Sequence, residues 1–453
     1  MRGYAAIVGV FWQKRRFLPD RTNSVQILLI SLIEALLAIV PERDTDSIPR
    51  AAEVPIGLCL SGGGFRAALY GLGVLRYLAE SDLLRRVAVV CGVSGGSVVT
   101  AAFASALKVA GDKALTANGF QAHAFDPFVA AVTTRDLRQE AVWRWLRQRL
   151  RPRALPRNLV LAEVLAEALF PAADRLADLP ERPQLIFTGT ELTAGRAFRF
   201  SRDFIGSWDF GYAPTPLGMR VAAAVAASSA APPAIPALQL RTHGMGLKHA
   251  PPLLAITDGG VYDNLGIEWF QGWTPERRPA PAVPVEDLIV VNASGPLGRD
   301  ERRMVGVRAM NRMRKVQYAQ TQATRVRWLV GELEAGRQHG LYFGITGDPR
   351  RYRLPSRASI DPASYSGALP SRLVGPLAAL RTDVNRFSVA EATLLAYHGY
   401  WSAHARISSL RPSNAVRKPD WQEFAEMSDV EAERFEEELR GRRHRLGLGE
   451  RLR

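Results

Sequence analysis

Two stretches decide the fold: Ile56-Gly57-Leu58-Cys59-Leu60-Ser61-Gly62-Gly63-Gly64-Phe65-Arg66 and Val87-Ala88-Val89-Val90-Cys91-Gly92-Val93-Ser94-Gly95-Gly96-Ser97. Each is a short apolar run that ends in a glycine turn and passes into a segment of helical period. A run that is apolar at nearly every position, rather than at alternate ones, marks a strand buried on both faces. After the first turn, Phe65 to Ala79 presents Leu69, Leu72, Leu75, Tyr77 and Leu78 to a buried face, and after the second, Gly95 to Lys108 is small and apolar. Strand, turn and helix, repeated, predict a parallel sheet with helices on its faces, an α/β fold.

Working outward, Gln184 to Thr190, Phe198 to Ser201, Asp287 to Ala293 and Leu341 to Ile345 read as further strands. Residues 113–183 read as mostly helical, with Trp143, Trp145 and Leu146 among many arginines. Val221 to Ala231 reads as a small-residue helix stopped by Pro232-Pro233, Glu301 to Leu333 as a basic helix, Val389 to Ile407 as an apolar one, and Glu431 to Arg443 as a solvated one. The expected organisation is an N-terminal extension (1–50), a catalytic domain (51–295), a C-terminal part packed on it (296–419) and a charged tail (420–453). No period of a repeat protein is visible.

The chain carries a formal net charge of +15, with six lysines among its 59 basic residues. Such a chain is drawn to anionic surfaces. Zinc-finger spacing, an aromatic RNA-binding motif and a dense basic block are all missing, so a membrane surface is expected as the anionic partner and nucleic acid is not. Cys59 and Cys91 fall in apolar runs and form no C-x-x-C pair, which predicts buried, reduced thiols. The apolar stretch from Val25 to Val40 is interrupted by Gln26 and Glu34 and is short for a bilayer span. It predicts a buried or membrane-interfacial helix, with a single span as the alternative, in a cytoplasmic protein peripheral to the membrane.

The glycine turns carry the chemistry. Gly62, Gly63 and Gly64 let backbone N–H groups approach an anion at the start of a helix, whose dipole adds positive potential. Taken alone, the turn fits a purely structural role or a loose dinucleotide motif equally well. Gly92-Val93-Ser94-Gly95-Gly96 matches G-x-S-x-G between a strand and a helix, the context of a nucleophile elbow. A third element, Thr257-Asp258-Gly259-Gly260-Val261-Tyr262-Asp263-Asn264-Leu265-Gly266, puts Asp258 on a tight loop after the apolar Leu253 to Ile256. The chemistry suggested is acyl transfer. Ser94 attacks an ester, Asp258 takes its proton, and the Gly62–Gly64 amides hold the oxyanion. Arg66 either binds the anionic substrate or anchors the turn. Asp263 and Asn264 read as caps of a helix beginning near Leu265.

Together these residues resemble the patatin-like phospholipase family, whose members carry G-G-G-x-R, G-x-S-x-G and a late D-G-G or D-G-A in this order. Thr188 to Gly195 and Ala222 to Pro236 echo the family more weakly, and Ser61 stands where many members have Asp. The resemblance covers residues 56–295. It implies a three-layer α/β/α fold with a mainly parallel sheet, here with an N-terminal apolar helix and helical C-terminal additions. It also implies a Ser94–Asp258 dyad without histidine, hydrolysis of phospholipids or other acyl-ester lipids, and no metal or cofactor. Three other readings stand beside it. A Ser-His-Asp esterase would use His398 or His404; an NAD-dependent oxidoreductase would use Asp82 on the ribose; and a non-catalytic lipid-binding protein could keep the fold.

Overall fold

A strand buried on both sides must send alternate side chains into different cores, and the central strands do so. In the computed structural model, which describes residues 54–149, 154–232, 235–271, 285–354, 356–416 and 418–441, Leu58 and Leu60 enter the large core while Cys59, between them, joins Leu288 and Val290 on the opposite face. The stretch from Val25 to Val40 and the end of the charged tail lie outside the described residues.

In chain order the main elements are β1 (Ile56–Leu60), α1 (Gly64–Glu80), β2 (Val87–Val93), α2 (Gly95–Ala110), α3 (Asp126–Thr134), α4 (Leu137–Gln148), α5 (Arg157–Leu169), β3 (Gln184–Glu191), β4 (Arg196–Phe200), β5 (Phe204–Ser207), β6 (Gly211–Pro214), α6 (Val221–Ser228), β7 (Leu238–Arg241), β8 (Leu253–Asp258), α7 (Gly260–Asp263), β9 (Asp287–Asn292), α8 (Gly306–Glu334), β10 (His339–Gly344), α9 (Ser371–Ala378), α10 (Val389–Leu410) and α11 (Asp429–Gly441). The strands follow the order β10-β9-β1-β2-β3-β4-β5-β6, with β8 also on β3 and β7 on β8. The centre, from β10 to β3, is parallel. The wing beyond β3 is antiparallel, built from short strands joined by tight connections. The fold is thus mixed α/β, with a parallel central sheet flanked by helices, as the strand–turn–helix alternation predicts.

One face of the sheet packs under α1, α2 and α10, where Leu58, Leu60, Val90, Ile289 and Val291 join the large core. Each such side chain, fully buried, contributes about 1.5–3 kcal/mol. Helices α1 and α10 cross very closely. A Cβ on Gly73 would lie 1.7 Å from the Ala396 carbonyl oxygen, and one on Gly399 would lie 2.0 Å from that of Tyr70. The other face is covered more thinly, by Leu265, Ile267 and Leu329 of α8 in one cluster and by Phe204 and Trp269 in another. Residues beyond 295 therefore add a strand to the same sheet and a helix to the same core. Cys59 and Cys91 are buried and unpaired. Among the described residues no helix is long and apolar enough to cross a membrane.

Candidate active site

The site is set by how β2 and β8 share one edge of β3. β2 runs parallel to β3 and ends with Val93 opposite Thr188. β8 runs antiparallel to β3 and ends with Asp258 opposite Gly189. Two strands advancing on each other along the same edge meet at consecutive positions of β3, so Ser94 and Asp258 come together although 164 positions separate them in sequence. The Ser94 side chain hydrogen-bonds the Asp258 carboxylate.

Ser94 occupies a strained backbone conformation, φ 51° and ψ −115°, at the start of α2. Side-chain hydrogen bonds hold it there. Its N–H donates to Ser228 Oγ at 2.9 Å, Ser228 Oγ donates to the Thr188 carbonyl at 2.6 Å, and Ser97 Oγ lies 2.7 Å from Ser228 Oγ. Glycine follows Ser94 twice because the turn is pressed against the end of β1. A Cβ on Gly95 would lie 2.1 Å from the Gly64 carbonyl oxygen, and one on Gly96 would lie 2.0 Å from that of Leu60.

Burial pushes the Asp258 carboxyl up to about 6, opposed by hydrogen bonds from the Ser94 hydroxyl and the Gly260 amide. The Gly260 N–H reaches Asp258 Oδ1 at 2.7 Å. Above that pH the group is ionised, and it is a stronger base than an exposed carboxylate.

The triple-glycine turn lies beside this pair. Ser61 Oγ accepts from the Ala293 N–H at 2.7 Å, so the serine at this position ties the turn to the end of β9. Of the three amides expected at the oxyanion, that of Gly62 donates to the Asn264 carbonyl at 3.1 Å. Gly63 and Gly64 have φ of 141° and 59°, open to glycine and to few other residues, and they begin α1. Among the described residues no hydrogen bond engages their amides. Arg66 is buried. Its Nη1 donates to the Leu380 carbonyl at 2.7 Å, and its Nε and Nη2 donate to the Ala293 carbonyl at 3.3 Å.

The other sequence candidates lie elsewhere. His398 Nε2 donates to the Ile345 carbonyl at 2.9 Å and His404 Nδ1 lies 3.1 Å from the Tyr77 hydroxyl, both within the core under α10. Burial pushes both down to about 4. Asp82 precedes β2 rather than standing at a strand's C-terminal end, where dinucleotides bind, and it pairs with Arg85 on the surface. Asp263 caps no α-helix at Leu265. It accepts from the Leu265 and Glu268 amides at 3.1 and 2.8 Å, and only a single 3-10 turn, Glu268–Phe270, follows.

Three further residues stand beside the pair. Ser228 holds the elbow. Asn264, nearly fully buried, lies between the glycine turns: its Oδ1 is 2.3 Å from the place of a Gly62 Cβ and 2.5 Å from that of a Gly260 Cβ. Its Nδ2 donates to Ser294 Oγ at 2.6 Å, while Oδ1 is buried without a partner among the described residues. From α8, the Tyr318 hydroxyl lies 2.4 Å from the place of a Gly260 Cβ, and burial together with the Asp258 charge pushes this phenol up. An aromatic residue in a run of glutamine and arginine is the sole sequence signal for it. Among the described residues no three metal-ligating side chains cluster.

Residues 58–270 match the protein family described as Patatin-like phospholipase. No curated protein matches the chain in sequence. Among solved structures, human GIVD cytosolic phospholipase A2 is similar at 11% identity and a TM-score of 0.44, over 86% of this chain and 63% of that one. Two structures of the same human protein with methyl gamma-linolenyl fluorophosphonate, one of them also with terbium chloride, are similar at 13% identity. Their TM-scores are 0.43 and 0.42, over 78% of this chain and 57% and 58% of theirs. The chain spans less than two thirds of the length of these structures.

Proposed function

We propose that the protein hydrolyses acyl esters of lipids through Ser94 and Asp258. The observation that carries this reading is the meeting of β2 and β8 on one edge of β3, which gives the Ser94 hydroxyl a carboxylate partner beside a glycine turn. Asp258 accepts the Ser94 proton as Oγ attacks the ester carbonyl. The tetrahedral oxyanion faces the N-terminal end of α1, where the Gly63 and Gly64 amides donate to it. A good donor of this kind supplies about 3 kcal/mol. Collapse of the intermediate releases the alcohol, which takes the proton from Asp258 and leaves the acyl group on Ser94. Asp258 then deprotonates a water that attacks the acyl-enzyme, and the fatty acid leaves as Ser94 regains its proton. Arg66 serves this turn from beneath, holding it to the Ala293 and Leu380 carbonyls. Phospholipids, lysophospholipids and neutral lipids are the substrate class, met at an anionic membrane surface by a peripheral protein.

A fluorophosphonate probe tests the reading, because it phosphorylates only an activated serine. The wild-type protein is expected to be labelled at Ser94 and to hydrolyse short-chain esters, and Ser94→Ala to lose both with unchanged melting. Folded wild-type protein that takes no label would remove the proposal.

A further inference from the structure

We propose that the N-terminal half of α8, with Val305 before it, is the surface by which the molecule docks on an anionic phospholipid bilayer. The inference rests on the lipid-hydrolase reading for its purpose but not for its physical basis.

Helix α8 has 29 residues, of which Leu329 alone is buried, and that residue belongs to its C-terminal half. Gln322 and Arg325 also tie that half to the body, donating to Asn292 Oδ1 and to the Tyr262 carbonyl. The N-terminal half is exposed along nearly its whole length, and it exposes large apolar side chains among basic and neutral polar ones. Val307, Met310, Met313 and Val316 recur every third residue, with Met310 59% and Met313 57% exposed. Interleaved with them are Arg308, Arg312, Arg314 and Lys315, and no acidic residue occurs between Glu301 and Glu332.

Unpartnered methionines and valines among cations suit one kind of neighbour. A bilayer surface takes apolar side chains into the acyl boundary while lipid phosphates meet the arginines, whose long stems let the charge remain in the headgroup layer. Single-stranded nucleic acid would instead call for exposed rings on which bases stack, and this half of the helix exposes none.

The position fits the task. Arg314 donates to the Pro232 carbonyl at 2.6 Å, four residues beyond the Ser228 that holds the elbow. Tyr318 reaches the Asp258 loop. At 1.5 Å per residue, Met313 lies about 8 Å and Met310 about 12 Å along the helix from Tyr318. A helix lying on the membrane here would hold the Ser94 cleft at the lipid headgroups.

The test uses the full-length Ser94→Ala protein, so that vesicles are not consumed, with sedimentation on phosphatidylcholine vesicles with and without phosphatidylglycerol. Binding is expected to require phosphatidylglycerol and to weaken with salt. Met310→Asp/Met313→Asp is expected to weaken it roughly tenfold or more, and Arg308→Gln/Lys315→Gln roughly twentyfold. Met310→Ser/Met313→Ser, a milder change at the same exposed positions, guards against misfolding and is expected to weaken binding in the same direction.

Vesicle binding unchanged in all three variants overturns the proposal. So does an aspartate variant that merely dissociates a dimer of the parent, which would make the face an interface between copies, or one that loses RNA binding but no vesicle binding. In the Ser94-containing protein, hydrolysis of vesicle phospholipid should fall with binding while a soluble short-chain ester is still turned over. Equal loss on both substrates would also overturn the proposal. If the wild type hydrolyses no ester at all, the hydrolase reading fails, yet the binding experiment on Ser94→Ala still decides the docking face.

Discussion

Helices α8 and α10 are the two longest among the described residues and cover opposite faces of the same sheet, but they live in opposite environments. α10 buries 15 of its 22 residues, whereas α8 buries one of 29. Several polar groups of α10 find their partners inside the protein. Glu391 is paired with Arg381 at 2.5 Å and completes a capping box with Ser388, Tyr400 donates to Glu80 at 2.5 Å, and the two histidines meet a carbonyl and a phenol. A buried polar group without a partner costs about 1–3 kcal/mol, so each such pairing offsets a cost of burial. Most polar groups of α8 face solvent, and those that meet the body reach the Pro232 carbonyl, Asn292 and the Asp258 loop. Titratable side chains in a core are thus no guide to chemistry. In this molecule the proposed chemistry lies where strands end beneath the thinner layer.

The sharpest way to break the contrast is to change the carboxylate on the thin side. Asp258→Asn removes the proposed base, and kcat/KM toward a soluble ester is expected to fall by about 10²–10⁴. In the wild type the same rate should drop tenfold per pH unit below about 6, where Asp258 takes up a proton. Stability should move the other way. The carboxyl titrates near 3.8 when unfolded and about 6 when folded, so the native state binds the proton more tightly. Its contribution to stability is full below the lower value and is lost as pH rises to the upper one. Asn has no charge to bury. Asp258→Asn should therefore melt above the wild type at pH 7–8, by up to about 3 kcal/mol, and the advantage should fade towards pH 4. A melting difference that is constant across this range would mean that the carboxyl is not held against ionisation.

On the thick side the expectation reverses. His398→Ala takes the imidazole donor from the Ile345 carbonyl, His404→Ala takes one of two partners from the Tyr77 hydroxyl and leaves the Val416 N–H, and both open cavities against Tyr70 and Tyr77. Each should cost about 2–4 kcal/mol of stability, while kcat/KM of the folded fraction stays within about twofold, because neither ring reaches Ser94. Activity abolished with normal melting in either variant would make that histidine the base and dissolve the distinction between the two helices.

The same contrast governs what can be read from the residues alone. The parallel centre is legible because a strand buried on both faces has no choice but to be apolar throughout, and the glycine turns mark where each strand stops. Ser94 and Asp258 are legible for a related reason: each is followed by two glycines crowded by neighbouring atoms, backbone carbonyls at Gly95, Gly96 and Gly259 and side-chain oxygens at Gly260. The antiparallel wing is not legible. Phe204–Ser207, Gly211–Pro214 and Leu238–Arg241 are four-residue strands held by neighbours already in place rather than by a run of their own. Nor is the fate of the Gly62 amide, which depends on a carbonyl 202 residues away. Ser228 and Tyr318 meet the site through contacts 134 and 58 positions away in sequence, and no local spacing announces them. Arg66 leaves two roles open in the sequence, and only the carbonyls around it show which groups its guanidinium meets.

The smallest expected effect tests whether α8 belongs to the site or only roofs it. The Tyr318 hydroxyl sits beside the Asp258 loop as a neutral phenol, held so by burial and by the carboxylate itself. A neutral hydroxyl next to a carboxylate favours the ionised form. Tyr318→Phe should therefore raise the pH at which activity falls by less than about one unit and lower kcat/KM at neutral pH by roughly threefold or less. The two effects should share a cause, so the rate should recover at pH 8, where Asp258 is ionised in either protein. A loss that persists unchanged at pH 8 would mean that the ring shapes the substrate cleft rather than the base. No shift at all would mean that the thin layer stands over the carboxylate without touching its chemistry, and that the functional difference between the two helices begins only at the exposed end of α8.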